Sequence, residues 1–242
     1  DRPTDQSQVP ATFDPEHGSH LAVVGSSRSG RSTVLRSIAA MLVRAWSPDD
    51  LHLYALDFGN GALLPFADVP HCGAVVTRAE RERCERLVAR LIVELTSRQE
   101  ALARMGVGDI AEQRAHAPAE ERFPYVVVLL DRWDAFIGQF GVDTGSELTV
   151  DILRLLRDGP SVGIKMLITG DRSLMMDRIA AHIDEKIVLR LSDRDDYRLA
   201  GINPKKLPEV IAPGRAFRND TSIEVQIGWL DEEPAAKAQA AV

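Results

Sequence analysis

Gly25-Ser26-Ser27-Arg28-Ser29-Gly30-Arg31-Ser32-Thr33 is the stretch that decides the fold. It follows a short apolar run, residues 20–24, that reads as a buried strand. It precedes Leu35, Ile38, Ala39, Leu42, Val43 and Trp46, spaced as on one face of a helix over residues 32–46. Strand, glycine-rich loop and helix in that order make a phosphate cradle. The glycines let main-chain N–H groups wrap the anion, and the helix N-terminus adds a favourable dipole. The full motif reads glycine, four residues, glycine, lysine, then serine or threonine. Its lysine touches the outer phosphates and its hydroxyl holds Mg2+. Both glycines and Ser32 are present, but Arg31 stands at the lysine position. A wide planar guanidinium does not take the seat of a compact ammonium. Arg28 places a second bulky cation inside the loop. The loop is therefore expected to keep its shape, with ATP and Mg2+ bound weakly or not at all.

Outward from the loop, strands and helices alternate. Residues 51–56, 125–130, 164–168 and 186–191 read as strands, with a further one at residues 74–76. Residues 79–105, 110–117, 147–157 and 173–182 read as helices. The uninterrupted apolar run at residues 125–130 belongs in the middle of a sheet covered on both faces. Residues 215–218 and 222–227 alternate around Asn219-Asp220 as a closing hairpin. This pattern predicts an α/β fold: a mostly parallel sheet between helices, with a C-terminal antiparallel hairpin. Residues 1–19 read as a lead-in with an edge strand near residues 9–13, residues 20–230 as the domain, and residues 231–242 as a flexible tail.

Ligands of such sheets bind beyond the carboxyl ends of the strands. Asp131 ends the 125–130 strand and suits the acid that holds Mg2+ beside the loop, so Ser32 and Asp131 are the metal candidates if Mg-ATP binds. Hydrolytic relatives of this motif carry glutamate next, to activate water. Here the next residue is Arg132, a permanent cation that accepts no proton. Asp134 is expected to cap a helix or pair with Arg132. Asp171, after the 164–168 strand, is an acceptor where a phosphate sensor would be a donor. It is expected to cap a helix or pair with Arg172 or Arg194. Asp57, at the end of another strand, is placed to hold Arg31 or Arg132 by a salt bridge. The replacements at Arg31, Arg132 and Asp171 all oppose hydrolysis, and no catalytic residue is assigned.

Composition narrows the classes further. The 242 residues carry 29 Lys and Arg against 36 Asp and Glu, a net charge of −7, which disfavours general nucleic-acid binding. No unbroken apolar run exceeds six residues, far short of the ~20 that span a bilayer. Cys72 and Cys84 without a secretion signal read as reduced packing residues. The six histidines show no metal-ligand spacing. The chain starts at Asp1 rather than Met and is read as part of something longer.

The order of motifs resembles the FtsK/SpoIIIE family of ATPases. The resemblance rests on Asp1-Arg2-Pro3, Gln6, Gly18 and residues 20–25, Ser29-Gly30-Arg31-Ser32-Thr33-Val34-Leu35-Arg36, and Pro213-Gly214-Arg215. Leu56-Asp57-Phe58-Gly59-Asn60-Gly61, Leu63 and Val69-Pro70-His71-Cys72-Gly73 are similar to the EccC motors of type VII secretion systems. Asp131-Arg132-Trp133 resembles the Asp-Gly-Trp form of their later, degenerate ATPase domains. The resemblance implies a P-loop NTPase of the RecA/FtsK-like kind, with residues 25–33 as the nucleotide loop and Asp131 as the Mg2+-side acid. It implies a part in assembly, regulation or docking of a secreted helical-hairpin (WXG-type) substrate. The implied partners are neighbouring ATPase domains of the same chain or a hexamer, on the cytoplasmic side of a bacterial membrane reached through the parent protein. An active motor domain and a DNA translocase domain are the alternatives; the acidic balance makes DNA the weaker one.

Overall fold

The structure, a computed structural model, describes residues 9–141 and 147–228. In chain order it runs β1 (Leu21–Val24), α1 (Arg31–Ala45), β2 (Leu51–Asp57), β3 (Cys72–Thr77), α2 (Arg81–Met105), α3 (Ile110–His116), β4 (Tyr125–Asp131), α4 (Trp133–Phe140), α5 (Glu147–Asp158), β5 (Ile164–Gly170), β6 (Glu185–Val188), β7 (Arg215–Arg218) and β8 (Glu224–Gln226). The strands form a single sheet of order β3-β2-β4-β5-β1-β6-β7-β8 among the described residues. The run from β3 to β6 is parallel, while β7 and β8 pair antiparallel at the end.

Alternation along each strand sorts side chains to two faces. Val126, Val128 and Leu130 join Ala22, Val24, Ile164, Met166 and Ile168 in one core with α2, α4 and α5. Val127 and Leu129 join Leu21, Val23, Leu53, Ala55 and Leu167 in a second core with Val34, Leu35, Ala39 and Leu42 of α1. Both faces are covered, so β4 is apolar from Tyr125 to Leu130, and all seven of its residues, Asp131 included, are buried.

The topology places β5 between β4 and the loop strand β1. The chain leaves β1, builds β2 and β3 at the far edge, and returns through β4 and β5. The end of β5 therefore stands between the end of β4 and the loop, two strand spacings of about 4.8 Å apart.

Three expectations are corrected. Residues 9–13 form no strand; Phe13 packs on the α1-side core instead. Residues 173–182 are not one helix but two short 3-10 turns, Arg172–Met175 and Arg178–His182. Asp177 breaks them: its backbone is extended (φ −78°, ψ 158°) and its carboxylate accepts from Ile179 N. The 186–191 strand is shorter and starts one residue earlier, at Glu185. The expected tail at residues 231–242 lies outside the described residues. Among the described residues no helix is long and apolar enough to cross a membrane.

Candidate functional site

The loop is hung from the end of β5 and from Arg190, two residues past the end of β6. Gly25 N donates to Gly170 O at 3.1 Å, and Ser26 N and Oγ both donate to Arg190 O at 2.9 Å. Ser29 N turns back onto Ser26 O at 3.2 Å. The turn needs left-handed backbone at Arg28 (φ 59°) and Gly30 (φ 103°), and glycine supplies the second at no steric cost. A Cβ at Gly25 would fall 2.2 Å from Ser29 Oγ, so the serine hydroxyl folds over that glycine. There Ser29 Oγ is buried without a hydrogen-bond partner. α1 then starts with no side-chain cap and no acid in its first turn, leaving its N-terminal N–H groups toward the loop.

Asp131 lies opposite, fully buried. Its Oδ2 accepts from Ser32 Oγ at 2.8 Å, and its Oδ1 from Thr169 Oγ1 at 2.7 Å. Thr169 Oγ1 in turn accepts from Arg132 N at 2.8 Å. Burial pushes the Asp131 carboxyl above its ordinary value, opposed by the Thr169 and Ser32 hydrogen bonds. Ser32 and Asp131, paired on sequence grounds as metal candidates, are thus in direct contact. Thr169, which follows the expected 164–168 strand, is a member to which the sequence assigned no role. Its signal was topological: any residue ending a strand between β4 and β1 must lie beside both.

Arg132 itself is left-handed (φ 71°) and stands at the N-terminus of α4, a helix the sequence reading missed. Trp133, Phe136 and Phe140 recur at helical spacing and were the signal for it. They pack with Phe58, at the end of β2, at centroid distances of 5.1–5.7 Å around Phe136 and Phe140. Trp133 Nε1 also donates to Asp177 at 3.1 Å. This anchoring fixes the first turn of α4, and with it Asp134. Asp134 accepts from Arg132 Nη2 at 2.9 Å, one of the two roles expected for it. Its other oxygen faces Arg31 Nη1 at 3.6 Å.

Asp57 does not pair with Arg31 or Arg132. It accepts from Gly59 N at 2.9 Å and Leu63 N at 2.8 Å, shaping the 57–63 turn. The turn needed an acceptor more than the arginines did, since Asp134 already serves both. A Cβ on Gly59 would sit 2.5 Å from Asp131 Oδ2, so that turn packs directly on the acid. Asp171 caps its 3-10 turn, accepting from Ser173 N at 2.8 Å. Burial works to raise the Asp171 carboxyl, but the Ser173 bonds outweigh it and the net shift is downward. Arg172 pairs with Asp196 at 3.0 Å, and Arg194 donates to the carbonyls of Pro204, Leu207 and Pro208, so neither arginine holds Asp171.

A loop strand at the sheet centre, a buried acid two strands away and an antiparallel closing edge define the site's architecture. The chain matches the FtsK/SpoIIIE family over residues 1–209. This chain belongs to that family. It is 30% identical over 224 residues to the ESX-4 secretion system protein EccC4 of Mycobacterium tuberculosis, covering 91% of this chain and 18% of that protein. It is 29% identical to the ESX-1 secretion system protein EccCb1 of Mycolicibacterium smegmatis, covering 82% of this chain and 34% of that protein. The chain thus spans about a fifth to a third of the length of these relatives. A solved structure of Thermomonospora curvata EccC (ATPases 2 and 3), in complex with a signal sequence peptide, superimposes with a TM-score of 0.83 at 27% identity. That match covers 99% of this chain and 44% of the other.

Within the FtsK/SpoIIIE frame, the chain is homologous to ATPase domains of type VII secretion motors. Its loop and Asp131 meet at the carboxyl edge of the sheet. Among the described residues, one grouping of His, Asp and Glu is close enough to share an ion: Asp14, Glu16 and His17. These are exposed sequence neighbours, with His17 Nδ1 on Asp14 at 2.9 Å.

Proposed function

We propose that this chain is one nucleotide-loop domain of a multi-domain type VII secretion motor, serving assembly, regulation or substrate docking with weak or no ATP hydrolysis. The observation that carries this reading is the environment of residue 132. The position where a glutamate would activate water holds a guanidinium, and Asp134, the acid nearest in sequence, is engaged by Arg132 and Arg31. A carboxylate already taken up by two guanidinium groups is not free to orient on an attacking water.

The residues present fit magnesium and phosphate better than they fit turnover. Ser32 and Asp131 pair a hydroxyl with a carboxylate, the oxygen donors that Mg2+ prefers. Ser29 Oγ and Arg31 Nη1 are buried donors without a hydrogen-bond acceptor, Arg31 Nη1 facing Asp134 Oδ1 only at ion-pair distance, 3.6 Å. Gly25, Ser26, Ser27, Arg28, Ser29, Gly30, Arg31, Ser32 and Thr33 would hold the phosphates, with Ser32 and Asp131 on the metal. A bound Mg-nucleotide would supply a phosphoryl group and its counter-ion. This chain's residues would bind and orient it without drawing a proton from water. Residues 20–230 are taken as the domain that does so.

The signal peptide complex of the T. curvata relative supports the docking arm, and the tandem ATPases of that protein support contact with neighbouring domains. The place of action on this reading is the cytoplasmic face of a membrane, reached through the parent chain. Calorimetry and steady-state turnover with Mg-ATP test the reading. Turnover is expected below about 0.01 per second. Turnover of about 1 per second or faster, lost on Arg132→Ala, would overturn it. Arg31→Lys with Arg132→Glu restores both absent groups and is expected to raise turnover at least about tenfold.

A further inference from the structure

Two guanidinium groups converge on one carboxylate beside the loop. Arg132 Nη2 donates to Asp134 Oδ2 at 2.9 Å, while Arg31 Nη1 faces Asp134 Oδ1 at 3.6 Å, beyond hydrogen-bond reach. Both arginines stand where this fold would carry other groups, so their meeting on Asp134 belongs to this chain's own chemistry. We propose that Arg31 and Arg132 are the two arms of a phosphoryl-anion site, and that Asp134 is the internal occupant a phosphoryl group must displace. This rests on the reading above, in that Arg132 acts as a ligand rather than standing in for a base.

Three atoms in this corner are buried without a hydrogen-bond partner: Arg31 Nη1, Arg132 Nε and Asp134 Oδ1. Two of them can donate. The corner therefore holds more donors than its one carboxylate satisfies. Arg31 is held in this state with its side chain only 11% exposed. A phosphoryl group offers three strong acceptor oxygens and more charge than a carboxylate, which is what paired guanidinium groups favour.

The other acids at this edge are spoken for. Asp131 has both oxygens on hydroxyls, from Ser32 and Thr169. Asp57 has both on main-chain N–H groups. Asp171 is bound to Ser173, and acts on Arg31 and Arg132 only through its field. Asp134 alone among these acids contacts the two arginines. It sits in the first turn of α4, where the helix dipole favours its charge, and rigid aromatic packing holds that turn. Asp134 is thus a pre-positioned competitor with little freedom to withdraw. An anion must win Arg31 and Arg132 from it.

The test titrates the 242-residue chain with ATP, with and without Mg2+, and with inorganic pyrophosphate. Asp134→Asn removes the competing charge and keeps the shape. It is expected to bind both ATP and pyrophosphate at least about fivefold more tightly than the parent chain. Adding Arg132→Gln should erase that gain. Affinity for pyrophosphate unchanged or weakened in Asp134→Asn would overturn the proposal. So would a gain that survives Arg132→Gln, or a gain confined to ATP, because the nucleoside would then be what is read. Asp134→Ser, which also suits a first helical turn, carries the same expectation should the asparagine variant fold poorly. Turnover measured in parallel keeps the two readings separate. Fast turnover by the parent chain would sink the non-hydrolytic reading and leave the affinity comparison standing. Unchanged affinity in Asp134→Asn, with no turnover anywhere, would do the reverse.

Discussion

Ser32 Oγ donates to Asp131 Oδ2 at 2.8 Å, joining the first turn of α1 to the end of β4 across an intervening strand. The loop is thereby tied to the sheet through its own hydroxyl. The same carboxylate oxygen also meets the turn at Gly59, where an added Cβ would approach to 2.5 Å. Ser32→Ala leaves one oxygen of a fully buried carboxylate without its donor and is expected to cost about 1–2 kcal/mol, read as a lower urea midpoint. Gly59→Ala disturbs the same contact from the other side. The two changes together are expected to cost less than their sum, because each removes one shared hydrogen bond. Strict additivity would show that Gly59 does not act through the Ser32–Asp131 contact.

Residue 132 invites a comparison of two small substitutions. Its φ of 71° is a left-handed conformation that costs a residue with a Cβ roughly 1 kcal/mol. Arg132→Ala and Arg132→Gly both lose the Asp134 ion pair, but only glycine sheds the backbone strain. The glycine variant is expected to be the more stable of the two by about 1 kcal/mol in chemical denaturation. Equal stabilities would mean that the turn adjusts freely. The same conformation accounts for the similarity of Asp131-Arg132-Trp133 to an Asp-Gly-Trp form: glycine suits this turn, and arginine accepts its strain in exchange for Asp134.

Most of the sheet was legible because burial on both faces writes itself into continuous apolar strands. Residues 125–130 could hardly be anything else. The loop was legible because its glycines and hydroxyl are fixed by the turn. Contacts between side chains from separate strands were not. Thr169 looks unremarkable in sequence, and only the strand order sets it against Asp131. Asp57 looked like a partner for arginine, but two main-chain N–H groups a few residues on took both of its oxygens. The 173–182 stretch has helical periodicity, yet Asp177 spends its carboxylate on Ile179 N and Trp133 Nε1 and halts the helix. At Asp57 and Asp177 local hydrogen bonds won over the pattern.

Arg98 shows how a charge in α2 can serve the sheet. It is buried, and donates to Glu94 at 2.8 Å, to Pro124 O at 2.7 Å and to Val162 O at 3.0 Å. It thus holds the entrances of β4 and β5 in place, with Phe123 beneath its guanidinium at 5.5 Å. Arg98→Met fills similar space but strands both carbonyls and is expected to destabilise by about 2–4 kcal/mol. Arg98→Lys should recover only part of this, since one ammonium cannot reproduce the fork. Full recovery by lysine in a thermal melt would show that charge alone matters there.

His20 sets an acid limit on the fold. Its ring lies between Leu156 O, 2.7 Å from Nε2, and Met166 N, 2.9 Å from Nδ1. The carbonyl can only accept and the amide can only donate, so Nε2 carries the proton and Nδ1 is bare. Protonating Nδ1 would set two N–H groups against each other. Burial is the chief reason the pKa falls from 6.5 to about 4; Lys165 and His182 press the same way, while the Leu156 bond and Asp184 oppose it. The unfolded chain takes up its proton near pH 6.5, and the folded chain resists until about pH 4. The unfolded state therefore binds more protons across that window, and stability is lost as pH falls from 6.5 toward 4. A shift of this size corresponds to at most about 3 kcal/mol. The urea midpoint is expected to drop over that range. In His20→Leu it should start lower at pH 7 but decline less between pH 6.5 and 4. Parallel pH profiles for the two proteins would assign the acid sensitivity to other groups.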